Sequence, residues 1–152
     1  MEMRSRIDAA LKDAMKAKDA DRLSTLRLIN AAIKDRDIAS RGEGAEGGVG
    51  EAEILAILGK MVKQRQESAR AYEEAGRLEL AQKEQAEIRV IEDFLPRQLD
   101  AKEVEAAVAE VIAETGADSI RDMGKVMAAL KARYTGRMDF GAVGPLVKDK
   151  LA

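Results

Sequence analysis

The residues of this chain whose type and spacing could do chemistry are cations near its end: Arg121, Lys125, Lys131, Arg133, Arg137, Lys148 and Lys150. Their chemistry would be electrostatic, the placement of guanidinium and ammonium groups against backbone phosphates. Arg121 and Lys125 stand one helical turn apart. Lys131, Arg133 and Arg137 gather around the turn before Asp139, where the N-terminus of a following helix could also meet phosphate. The competing reading is a solubilising surface, because residues 95–152 hold nine basic and nine acidic side chains. Tyr134 and Phe140, the aromatics of this stretch, give no evident platform for stacking bases.

Covalent and metal chemistry finds little to work with. The chain has no histidine and no cysteine, which removes the usual nucleophile–base pairings, thiolate metal sites and any disulfide-linked partner. Ser24-Thr25-Leu26-Arg27 lacks the glycine-flanked elbow of a serine nucleophile. It reads as helix interior, with a hydroxyl turned to solvent or bonded to the carbonyl one turn back. Glu84 and Glu87, three residues apart, could hold a cation or share a proton, yet a lysine- and glutamate-rich helix spaces its acids this way for solubility. No catalytic residue, metal site or cofactor is therefore expected.

The elements that must position these side chains are helices. Ala, Glu, Lys, Arg and Leu dominate, aromatics are 3% and the hydrophobic share is 46%, so the core must be aliphatic and the fold class all-α. Ile7, Leu11 and Met15 mark a first helix over about 3–17. Leu23, Leu26, Ile29 and Ile33 mark a second, reaching about residue 38 and capped by Asp19 or Asp21. Residues 39–50 contain five glycines and read as a linker; they lack the Gly-Lys-Ser/Thr end of a phosphate loop. A long third helix runs from Glu51 to about Glu74, closed by Gly76. A fourth carries Leu80, Ile88, Ile91 and Leu95 and stops before Pro96. These four predict a bundle-like N-terminal helical domain over 1–95.

Residues 96–152 predict a small three-helix C-terminal domain. Asp100 and Glu103 have capping-box spacing, with Leu99 and Val104 as the staple, and Gly116 ends that helix. Ser119 or Asp118 caps the next, where Ile120, Met123, Met127 and Leu130 should face inward. Gly136 breaks the chain, and Asp139 starts a last helix whose stripe is Val143, Val147 and Leu151. Arg27, amid apolar neighbours, is expected to pair with an acid on another helix.

Net charge is −2, so any role on nucleic acid needs cations separated from acids in space. The start of the chain has no apolar stretch behind its basic residues, and no window approaches a membrane span. A soluble, cytoplasmic protein is the expectation.

Several segments together resemble the GatB/YqeY group. They include Leu23-Ser24-Thr25-Leu26-Arg27-Leu28, Met61-Val62-Lys63-Gln64-Arg65, Phe94-Leu95-Pro96-Arg97-Gln98-Leu99 and Asp122-Met123-Gly124-Lys125-Val126-Met127. The chain is similar over its whole length to the stand-alone YqeY-like proteins of bacteria. The resemblance implies that 96–152 is like the tail domain of the B subunit of glutamine-dependent tRNA amidotransferase, which helps engage tRNA. On this resemblance Gly124 would permit close helix approach and Lys125 would be the foremost phosphate contact. Nothing here matches the ATP, glutaminase or transamidation centres, so carbon–nitrogen ligase activity with glutamine as amide donor would be an attribution by shared domain only.

The leading expectation is a non-catalytic adaptor that binds tRNA or an RNA-associated protein through Arg121, Lys125, Lys131, Arg133, Arg137 and Lys148. The alternative is a protein–protein module without an RNA role, using an exposed apolar groove between the two domains, near Phe94, Leu95 and Leu99.

Overall fold

The computed structural model describes residues 2–42 and 48–152. Among them are seven α-helices, one 3₁₀ turn and no strand, the all-α class that the helix-forming composition predicts. The chain divides into two compact units, Met1–Leu95 and Pro96–Ala152.

The first unit holds α1 (Met3–Ala17), α2 (Ala20–Gly42), α3 (Glu51–Glu74) and α4 (Leu78–Glu92). Lys18 takes a left-handed conformation with φ 54°, and the Asp19 carboxylate accepts the Arg22 N–H at 3.2 Å. One turn thus ends α1 and caps α2, folding the two back on each other as a hairpin. Gly76, also left-handed at φ 73°, reverses the chain between α3 and α4. These two helices form the most extensive pairing in the molecule. Ile7, Leu26, Ile29, Ile54, Leu58 and Ile91 interlock at the centre, each essentially without exposure. Burial of one such side chain is worth about 2 kcal/mol.

Four expectations need correcting here. α2 runs on through Ala39–Gly42, so the linker is shorter than residues 39–50; its middle, 43–47, lies outside the described residues. Met15 and Leu80 are exposed, because the buried stripes of α1 and α4 pass through their neighbours Ala14 and Ala81 instead. Arg27 is exposed and pairs with no acid among the described residues. The aligning ion pairs are instead Arg4–Asp37, described below, and Arg65–Glu87 between α3 and α4, at 3.0 Å with both side chains mostly buried.

The second unit holds α5 (Ala101–Thr115), the 3₁₀ turn Ile120–Asp122, α6 (Met123–Tyr134) and α7 (Phe140–Leu151). The capping box forms: Asp100 accepts the Glu103 N–H at 2.8 Å, and Glu103 accepts that of Asp100 at 3.2 Å. Gly116 and Gly136 both take positive φ, and Asp139 caps α7 by accepting the Gly141 N–H at 3.0 Å. Val108, Val111, Val126, Leu130 and Val147 make a fully buried aliphatic core, against which Tyr134 and Phe140 pack. Ile120 is largely exposed rather than inward, because the 3₁₀ turn rotates it away from the α6 stripe.

Candidate nucleic-acid interface

The C-terminal unit separates its charges along the chain. Residues 96–118 carry six acids and two cations, while 119–152 carry seven cations and three acids. α6 itself, Met123–Tyr134, contains Lys125, Lys131 and Arg133 and no acid. The local charge is basic although the whole is balanced.

Helical geometry decides which cations are available. Val126 and Leu130 turn α6 toward the core. Gly124, Ala128 and Ala132 therefore lie along its outer face, with Lys125 on one flank and Lys131 on the other, all exposed. A Cβ on Gly124 would meet nothing within 4 Å. The expected close helix approach is thus absent, and that backbone stays open. Arg121 stands in the 3₁₀ turn just before α6 and is exposed. Arg121, Lys125 and Lys131 make no ion pair among the described residues. Lys125 is felt by Asp122, whose carboxyl is held low chiefly by the Asp118 N–H and partly by this ammonium.

Two of the expected cations are occupied inside the unit. Arg133 reaches back to Glu114 on α5, which raises the guanidinium and lowers the carboxyl from their ordinary pKa values. Arg137 donates from Nε to the Arg97 carbonyl at 3.1 Å and lies 6.0 Å from the Tyr134 ring centroid. Its own carbonyl accepts the Leu99 N–H at 2.9 Å, so Arg137 ties the entry of the unit to the α6–α7 turn. Lys148 is exposed on another helix, in the last turn of α7, where a cation complements the terminal carbonyls.

The other candidates lose ground. Glu87 is held by Arg65, and among the described residues no group of three or more His, Cys, Asp or Glu could hold a metal ion. Ser24 is exposed, and Thr25 donates its hydroxyl to the Asp21 carbonyl at 3.3 Å, as expected of helix interior. Phe94 is buried in the first core with Leu95 packed beside it, and Leu99 packs against the second.

Residues 4–151 match the family described as Yqey-like protein. The chain belongs to that family. This YqeY-like protein is 36% identical over 85 residues to altered inheritance of mitochondria protein 41, mitochondrial, of Eremothecium gossypii, covering 56% of this chain and 44% of the relative. The protein of the same name from Clavispora lusitaniae is 36% identical over 91 residues, 60% of this chain and 50% of its own. That of Pyrenophora tritici-repentis is 26% identical over 133 residues, 84% and 71% respectively. The YqeY-like chain spans about half the length of the first two.

These relatives overturn the cytoplasmic expectation, since they are mitochondrial proteins by name. No described helix of the YqeY-like protein is long and apolar enough to cross a membrane, but that property does not choose a compartment.

Proposed function

We propose that this YqeY-like protein is a non-catalytic adaptor that grips RNA, tRNA foremost, through the outer face of α6. The observation that carries the reading is a helix with no acid, whose exposed face sets Lys125 and Lys131 on either side of Gly124, Ala128 and Ala132. Short side chains let a phosphate backbone come close, and the flanking ammonium groups neutralise it with release of counterions. Arg121 extends the row at the start of the helix, and Lys148 adds charge from α7. Arg133 and Arg137 act as positioning residues that brace α5, α6 and the α6–α7 turn. The resemblance of 96–152 to the tail of the tRNA amidotransferase B subunit favours tRNA as the RNA. The amide-transfer chemistry of that amidotransferase has no matching residues here and is not part of the proposal.

Fluorescence anisotropy with labelled tRNA at two salt concentrations tests this reading. Submillimolar affinity that weakens with salt and drops for Lys125→Glu is the expected result. Undetectable or salt-independent binding overturns it.

A further inference from the structure

The helix α2 carries a second stripe that the core does not use. Leu26, Ile29 and Ile33 are buried, while Leu28, Ala31 and Ile38 stand exposed on another face, Leu28 by 44% and Ile38 by 64%. Positions 28, 31, 35 and 38 follow the alternating three-and-four spacing of a coiled-coil seam. Arg27, Lys34 and Arg41 recur every seven residues along one flank of that seam. All three are exposed and make no ion pair among the described residues. On the same flank an open cleft of about 440 Å³ lies between α1 and α2, lined by Ile7, Ile33, Ile38, Lys34 and Arg41 together with Asp8 and the Arg4–Asp37 pair.

We infer that this face of α2 docks an amphipathic helix of a partner protein, apolar along its seam and carrying carboxylates on the flank that meets Arg27, Lys34 and Arg41. Charge complementarity selects that occupant. A second copy of this chain fits poorly. In an antiparallel pair the cationic flank would meet itself, and in a parallel pair it would meet Ala32 and Ala39. RNA fits poorly as well, because Asp35 sits within the seam and would repel phosphate, and a phosphodiester leaves Leu28 and Ile38 in water. Asp35 instead asks for a polar or cationic residue opposite it, which fixes the partner's register. The seam from Leu28 to Ile38 is ~15 Å long, two to three turns of helix, a size suited to a transient contact. The inference uses only the first unit and stands apart from the RNA reading, which uses α6.

The test is anisotropy of the full chain with a labelled three-heptad synthetic helix bearing Leu along its seam, save one central Asn to face Asp35, and Glu on its flanks, compared with the same peptide bearing Lys for Glu. The Glu peptide is expected to bind at least about tenfold more tightly. Arg27→Glu with Lys34→Glu and Arg41→Glu should reverse that preference, and Leu28→Ser with Ile38→Ser should abolish binding of the Glu peptide. Circular dichroism checks folding of both variants, whose altered side chains lie outside the core. Equal binding of the two peptides, or of the Glu peptide to wild type and the Leu28→Ser/Ile38→Ser variant, overturns the inference. So does tRNA binding that the triple charge reversal removes and Leu28→Ser/Ile38→Ser leaves intact, or a wild-type dimer in sedimentation that Ile38→Ser dissociates.

Discussion

Arg4 grips Asp37 through two parallel hydrogen bonds, Nη2 to Oδ1 at 2.8 Å and Nη1 to Oδ2 at 3.1 Å. The same two side chains satisfy both backbone groups of Val49: Asp37 Oδ1 accepts its N–H at 2.8 Å, and Arg4 Nη2 donates to its carbonyl at 3.1 Å. The start of α1, the end of α2 and the approach to α3 are thereby fastened at one point. The Arg4 guanidinium and the Val49 N–H hold the Asp37 carboxyl below its ordinary pKa.

Gly48 belongs to this fastening. A Cβ there would lie 2.6 Å from Arg4 Nη2 and 3.0 Å from Asp37 Oδ1. Gly48→Ala should therefore lower the melting temperature about as much as Arg4→Lys, which keeps the charge and loses the fork. Differential scanning calorimetry reads both, and a Gly48→Ala protein melting like wild type would refute the crowding.

Acid should weaken the C-terminal unit through Glu103. Arg97 donates to its two oxygens at 2.8 and 2.7 Å, and together with the Asp100 N–H this pulls the Glu103 pKa from its ordinary 4.5 to about 2. Because the folded-state value is depressed, the stabilisation is present above pH 4.5 and is lost as pH falls from there toward 2. Glu103→Gln should flatten the melting profile in that window while changing far-ultraviolet dichroism at neutral pH little.

The cations of the second unit should divide by variant. Lys125→Glu with Lys131→Glu is expected to weaken tRNA binding by at least about tenfold with an unchanged melting temperature. Arg133→Ala should do the reverse, since its guanidinium serves Glu114. Parallel anisotropy and melting curves check this, and equal binding losses for the two variants would contradict the assignment.

Leu130, with no exposed surface, should be the costliest truncation in α6. Leu130→Ala is expected to destabilise by about 2–5 kcal/mol through lost burial and a residual cavity. Urea denaturation measures it, and a cost below about 1 kcal/mol would mean that the small core collapses onto the gap.

Local chemistry made most of the fold legible. The Asp100–Glu103 box, the glycines at 76, 116 and 136 and the Asp139 cap act within a few residues of themselves, so each could be read from spacing. The end of α2 could not, because Asp37 is buried there between Arg4 and Val49, 33 and 12 residues away along the chain. Ile120 shows the limit of periodicity, which assumes one helix type where a 3₁₀ turn intervenes. Ion pairs were harder still. Arg65–Glu87 spans 22 residues and Arg133–Glu114 spans 19, separations to which helical repeat is blind. The candidate interface was legible to the same degree: the absence of acid in α6 is in the sequence, but the capture of Arg133 by α5 is not.

The uneven distribution of charge in the second unit also governs how a polyanion would arrive. Beyond the ~10 Å Debye length the field is largely screened by salt, and what persists is the weak repulsion of a net charge of −2. Only at closer range does the polyanion meet the lysines of α6. Approach would gain little from long-range attraction, and tightness would reside in slow departure. Such a surface retains what collision or a tethering partner delivers, instead of drawing it from afar.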